Sequence, residues 1–535
     1  MGEAQQMSSA VLKASPLFIS IAVSLAAFME VLDTTIANVA LSNIAGSLGA
    51  TSDESTWVLT SYLVSNGIVL PLSGWFSSLM GRKNFFILCI LGFTLTSFLC
   101  GISTSLPMLI IFRLLQGLAG GGLQPTQQAI IKDSFPPEKL GMAFAITGIT
   151  TVLAPIIGPV LGGYITDNFN WRWIFFMNVP VGILAAFLVK TLVQDSLESQ
   201  KQKTSSIDYV GLSLITLGLG ALQIVLDKGQ QEDWFDSFFI IGFSCIAAVG
   251  LILAIFWLLK QKNPIVELKL FAIPSFSMSC LMIFFVGFAL YASAALLPML
   301  VQTNFGYDAT LSGFVLSPSG VTTILLMPVV GKLVTRVQAR YLIAFGMFLN
   351  AIGMLVTGFI TPQTDYITLV FMRILQTIGL PFLFVSAGTL AFSKISTEHS
   401  SNASAIFSLM RNLGGSIGIS LATSLLAHNQ QIQQANLVQH LTTADPGYQS
   451  TLSFYTQTIM NLGVPAANAA NLALAQISKE LAHQASILAY RDVYNFFAIT
   501  LIILAIIALF MPSNKLQKKD SPLESKQETL SVSSN

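Results

Sequence analysis

The chain has 535 residues, 53% of them hydrophobic and 10% charged, with a mean hydropathy of +0.71, more apolar surface than a water-soluble domain can use. Its formal net charge of +1 argues against nucleic acid as a partner. The four cysteines, Cys89, Cys100, Cys245 and Cys280, all fall in apolar runs without metal-ligand spacing, so they read as small apolar residues, and no metal or cofactor is expected.

A hydrocarbon core about 30 Å thick is crossed by about 20 mostly apolar helical residues. Apolar runs bounded by Pro, Gly and charge predict fourteen such helices, near 17–42, 56–79, 84–105, 107–131, 140–165, 172–192, 207–227, 237–259, 276–302, 310–334, 340–360, 366–391, 402–427 and 491–512. Lipid satisfies no backbone polar group, so the fold class is an all-α integral membrane protein. The first run has only Lys13 ahead of it and continues through Glu30, Asp33 and Asn38 without a small-x-small cleavage site. It therefore reads as a retained helix, not a signal peptide. Arg172, Lys228, Lys479 and Arg491 fall on one side, three arginines lie within spans, and the rest of the 26 basic residues crowd the other side. The inside-positive rule makes that basic side cytoplasmic and puts both termini there.

The first helix raises the main question. Glu30 and Asp33 are the only acidic residues deep within a span, and three residues apart they share a helical face. A deep charge costs roughly 2.5–3.5 kcal/mol on insertion scales and normally marks a functional path. A carboxylate in a poorly solvated cavity can bind and release a proton, and so can exchange it for a substrate. Asp33 is the favoured coupling acid, with Glu30 assisting or attracting cationic substrates; the plainer alternative for each is a neutral or paired packing carboxyl. Three deep cations, Arg113, Arg373 and Arg411, stay charged throughout, which suits fixed modulators or static interhelical ties.

The chain also repeats itself. "FRLLQGLAGG" (112–121) matches "MRILQTIGLP" (372–381), aligning Arg113 with Arg373 and Gln116 with Gln376; "PLSGWFSSLMGRK" (71–83) matches "PVVGKLVTRVQAR" (328–340), and "APIIGPVL" (154–161) matches "GGSIGISL" (414–421). Their common order and nearly common offset indicate duplicated six-helix halves with two helices between them. The expected organisation is a cytoplasmic N-terminus at 1–16, a first bundle at 17–192, an inserted pair at 207–259, a second bundle at 276–512 that includes a periplasmic loop at 428–490, and a cytoplasmic tail at 513–535. Ala154, Gly158 and Gly162 are spaced four apart for close helix approach. Pro155 and Pro159 each remove a backbone donor and should bend the fifth helix.

Parallel halves built from triplets match the layout of the major facilitator type, and the resemblance extends to motifs. "GWFSSLMGRK" resembles that superfamily's loop between helices two and three, "RLLQG" its fourth-helix motif, and "APIIGPVLGG" its fifth-helix antiporter motif. "LDTTIANVAL" and "WRWIFFMNVPVG" resemble the fourteen-helix drug:proton antiporters of the EmrB-like branch. The loop motif's usual acid and base are replaced by Ser78 and Leu79, so a charge latch of that form is not expected here.

The resemblance implies proton-coupled efflux of lipophilic, in part cationic, small molecules across a bacterial inner membrane by alternating access. On this reading proton coupling rests on Asp33, with Glu30 assisting or attracting cationic substrates and Arg113 biasing the acid's pKa. Gly81 and Arg82 brace one state, and Pro155, Gly158, Pro159, Gly162 and Gly163 form a gating seam. The resemblance also implies a periplasmic adaptor and an outer-membrane channel as partners, with membrane lipids around the spans. The loop 428–490, rich in Gln, Asn and Ala, is expected to form short amphipathic helices that dock the adaptor or cap the cavity. No G-x-x-x-x-G-K-[ST] segment occurs, which argues against ATP as direct fuel, and a transporter and not an enzyme is expected. An antiporter of one native compound and a non-transporting scaffold remain open readings.

Overall fold

The computed structural model describes residues 15–194, 208–262, 264–439, 441–442 and 445–512. The expected cytoplasmic termini lie almost wholly outside the described residues, as do Lys13, Lys201 and Lys203. Fourteen helices are long and apolar enough to cross a membrane: α1 Pro16–Val39, α2 Trp57–Met80, α3 Arg82–Gly101, α4 Leu106–Ser134, α5 Leu140–Asn168, α6 Trp173–Leu192, α7 Tyr209–Lys228, α8 Phe238–Lys260, α9 Pro274–Phe305, α10 Thr310–Leu333, α11 Ala339–Thr357, α12 Tyr366–Phe392, α13 Ser400–Val438 and α14 Ala466–Leu509. Large apolar side chains such as Leu88, Leu95, Phe187, Phe256 and Leu325 face outward, where lipid takes the place of a core partner. The interior mixes buried Leu, Ile, Val and Phe with small and polar residues, and the small ones let helices approach closely.

The first six helices pack together and the last six pack together. α5 lies on α1 in one half as α13 lies on α9 in the other, and both seams depend on residues without side-chain bulk. A Cβ on Gly158 would fall 2.0 Å from Thr35 Oγ1, and one on Gly418 would fall 2.3 Å from the Phe288 carbonyl oxygen. α5 stays helical through both Pro155 and Pro159. Its other face carries the contact between halves, running the length of α10, where Gly141 meets the Gly331 carbonyl and Gly313 meets Val160.

The inserted pair touches both halves. α7 packs on α2, where Asp227 accepts from Thr60 and the Lys228 ammonium lies 4.9 Å from the Trp57 ring centroid. It also reaches α13, through Gln223 to Ser416 (3.1 Å) and, just past its end, Trp234 to Ser424 (3.1 Å).

The segment 428–490 differs from the expected loop of separate short helices. α13 runs on to Val438, one helix spans Pro446–Asn461, and α14 is a single 44-residue helix from Ala466. The stretch 466–490 is too polar to register as a span, yet Ala469, Ala473, Ile477, Leu481 and Ala485 are buried. They form an apolar stripe at helical spacing that carries α14 straight out of the apolar layer.

Candidate functional site

α1 presents its two carboxylates to different surroundings. Asp33, 2% exposed, points into the first half. Arg113 of α4 donates to it through Nη1 at 2.5 Å, Gln116 Nε2 at 3.1 Å, and Asn178 Nδ2 of α6 at 2.7 Å. Arg113 is itself fully buried and held from several sides. Its Nη1 also donates to Gln116 Oε1 at 2.9 Å, its Nε donates to the Val58 carbonyl at 3.1 Å, and its guanidinium lies 4.3 Å from the Tyr62 ring centroid and 5.6 Å from that of Phe175. The cluster ties α1, α2, α4 and α6 together with charge-assisted hydrogen bonds.

Glu30, 4% exposed, sits one turn away and faces the other half. Tyr62 Oη (3.0 Å) and Asn66 Nδ2 (3.1 Å) of α2 donate to one carboxyl oxygen, and Gln124 Nε2 (2.5 Å) of α4 donates to the other. The Gln124 carbonyl oxygen accepts from Arg411 Nη2 of α13. A primary amide bridges a carboxylate and a guanidinium in only one orientation, NH2 to the acid and C=O to the cation. Gln124 therefore links an acid of one half to a cation of the other. Arg411, 1% exposed, also donates to Thr151 of α5 at 3.5 Å.

The residues expected to gate fall at two levels. Ala154, Gly158 and Gly162 face α1 directly after Asp33: Thr35 Oγ1 lies 3.4 Å from the Ala154 carbonyl, and a Cβ on Gly162 would meet Ile36 at 3.3 Å. Gly163 is buried on the same helix. Gly81 turns the chain between α2 and α3 at φ 83°, a conformation open to glycine at little cost, and so delivers Arg82 to the opposite half. Arg82 Nε donates to Ser401 (2.8 Å) and Nη2 to the Thr397 carbonyl (2.7 Å), while Nη1 pairs with Asp133. Beside it Lys132 donates to Ser400 (2.6 Å) and to the Ile395 carbonyl (3.3 Å). Asn402 donates to Glu267 (2.8 Å). With Ser78 and Leu79 in the loop motif, the acid in this latch is Asp133, from the end of α4. The latch closes the end that the charge reading places in the cytoplasm. At the far end Thr310 donates to Asp167 (2.9 Å).

Arg373 lies inside the second half, with Nη1 on Ser293 (3.0 Å) and Gln376 (3.1 Å), and does not join the α1 site. Sequence reading missed Gln124, Asn178 and Tyr62, and met Gln116 only as a repeat match to Gln376. Uncharged polar residues carry no hydropathy signal strong enough to single them out, although "LQPTQQ" (123–128) is unusually polar for a span. All four cysteines are free thiols, and no cluster of metal-ligating side chains occurs among the described residues.

The pairing has a measurable energetic consequence. Removing one member of a buried ion pair strands the other, at roughly 3–5 kcal/mol. Arg113→Ala should therefore lower the thermal unfolding temperature of the purified protein sharply, and the double variant Asp33→Asn/Arg113→Gln should recover much of the loss. Equal melting of Arg113→Ala and the wild type would show that the pair is not holding the half together.

Residues 23–419 match the family model described as the Major Facilitator Superfamily. The chain is 38% identical over 442 residues to Multidrug export protein EmrB of Haemophilus influenzae, covering 82% of this chain and 86% of the relative. It is 36% identical over 436 residues to Multidrug export protein EmrB of Escherichia coli K12, covering 81% and 85%. Among solved structures, the proton:xylose symporter XylE bound to 6-bromo-6-deoxy-D-glucose superposes with a TM-score of 0.61 at 13% identity, covering 94% of this chain and 97% of that one. At that identity the likeness concerns the fold alone.

Proposed function

The chain belongs to the Major Facilitator Superfamily, and on that premise we propose that it exports lipophilic small molecules across the bacterial inner membrane in exchange for protons, by alternating access. The observation that carries this reading is the division of labour on α1, where Asp33 is paired within its own half and Glu30 is linked through Gln124 to Arg411 of the other half.

In this mechanism Asp33 is the coupling acid and Arg113 its fixed counter-charge. A proton arriving from the periplasmic side neutralises Asp33 and weakens its charge-assisted bonds to Arg113, Gln116 and Asn178. α1 is then free to shift against α5, where Gly158 and Gly162 leave only a thin seam. Protonation of Glu30 removes the charge that anchors the Gln124 amide and so loosens the bridge to Arg411. Both steps weaken contacts that the closed arrangement needs, and the Arg82 and Lys132 latch at the cytoplasmic end is what must then open. A cationic or neutral substrate entering from that side displaces the proton, and the cycle resets.

The driving force is adequate. One charge moving through about 180 mV carries roughly 4 kcal/mol, equivalent to about a thousandfold gradient of a neutral substrate. The proposed domain organisation follows the same logic, with two six-helix bodies rocking about the α5–α10 seam and α7–α8 spanning both. The hairpin formed by the ends of α13 and α14 and the helix Pro446–Asn461 is the proposed docking surface for a periplasmic adaptor, which would hand substrate to an outer-membrane channel. Its exposed Phe454, Met460 and Leu462 supply apolar contact area.

Two outcomes are expected. In inverted vesicles energised by respiration, Asp33→Asn should abolish uphill accumulation of tetraphenylphosphonium or ethidium while downhill exchange persists; undiminished uphill transport would remove Asp33 from the coupling role. Deleting 446–461 should impair resistance of intact cells much more than transport in vesicles if the hairpin docks an adaptor. Equal losses in both assays would instead make it a cap over the substrate route.

A further inference from the structure

The repeat that aligns Arg113 with Arg373 and Gln116 with Gln376 also aligns Asp33 with Ser293, at the same offset of 260 residues. The structure reproduces the correspondence atom by atom. In the first half Arg113 Nη1 bonds Asp33 and Gln116, and in the second half Arg373 Nη1 bonds Ser293 and Gln376. The second cluster thus keeps the cation and the amide but has a neutral hydroxyl where the first has its carboxylate.

Arg373 is 1% exposed, and no Asp or Glu pairs with it among the described residues. No aromatic ring faces its guanidinium among those residues either, whereas Arg113 has two. Its Nε makes no hydrogen bond. Gln376 turns its NH2 away to Thr357 (2.8 Å), where Gln116 turns its own to Asp33. The Ser293 hydroxyl donates to the Leu290 carbonyl (3.0 Å), so it offers Arg373 a lone pair and no charge. A guanidinium stays protonated even when buried, and a buried ion without a counter-charge is strongly disfavoured. The missing component of this cluster is one negative charge, with the guanidinium Nε–H free to donate to it.

We propose that the second half binds a small monovalent inorganic anion, of the size of chloride, against the Arg373 guanidinium, as the counter-charge that Asp33 supplies covalently in the first half. The anion is a resident of the fold, not a transported species, so the site is independent of the antiport mechanism above. Ser293→Asp builds the counter-charge into the chain and makes the anion redundant.

The test is thermal unfolding of the purified full-length protein in detergent, in sodium chloride, sodium bromide or sodium gluconate at matched ionic strength. Wild type should show a saturable rise in Tm of about 3 °C or more with chloride and with bromide over gluconate. Arg373→Gln should lose the halide dependence, and Ser293→Asp should lose it while melting in gluconate at least as high as wild type in chloride. Should Arg373→Gln fail to fold, Ser293→Asp decides, together with anomalous scattering from bromide-soaked wild-type crystals, which should place a peak beside Arg373. Equal wild-type melting in all three salts, halide dependence that survives in Ser293→Asp, or no bromide peak at Arg373 would overturn the proposal.

Discussion

Hydrocarbon offers an ionised side chain no solvent, so each charge in the middle of this bundle must find its compensation in a protein group or in an ion bound to one. The bond between Asp33 and Arg113 is the strongest expression of that constraint. Because it draws on α1, α4 and α6 at once, it fixes how the first half is assembled, and because it depends on the charge of one carboxylate, it gives a single proton leverage over that assembly. α5 rests on α1 one turn further along, through glycines with no side chain to buffer a displacement. The helix that bears Asp33 is therefore packed directly against the helix that forms the long seam with the second half.

Glu30 extends this leverage across the interface. It is close to Asp33 in sequence but turned toward the opposite half, and the Gln124 amide makes its charge matter to Arg411. The two acids thus act at two levels, one within a half and one between halves, while the latch of Arg82, Lys132 and Asp133 works at the membrane surface. Gly81 connects these levels: its left-handed backbone lets α2 end and α3 begin with Arg82 aimed at Ser401 and Thr397.

Much of this architecture was legible in the sequence because the bilayer imposes it. Runs of about 20 apolar residues had to become spans, and among the described residues fourteen helices are long and apolar enough to cross, near the expected positions. The least accurate boundaries were those of α13 and α14. Beyond the apolar layer the pattern changes from uniformly apolar to an alanine and leucine stripe on a polar helix, and a criterion based on hydropathy stops there although the helix does not. At the site, charge marked Glu30, Asp33, Arg113, Arg373 and Arg411. What the sequence could not display is which charge meets which, since that depends on helix crossings. Gln124 and Asn178 matter only because α4 and α6 bring them to α1, and the difference between Asp33 and Ser293 becomes meaningful only once both arginines are seen in the same bonding pattern.

The central claim is that substrate and proton compete for the carboxylates of α1. It is tested most directly by adding tetraphenylphosphonium to the purified protein in weakly buffered detergent solution and following a pH indicator. The account predicts proton release that saturates with binding and disappears in Asp33→Asn. Binding without release in the wild type, or undiminished release from the variant, would contradict it.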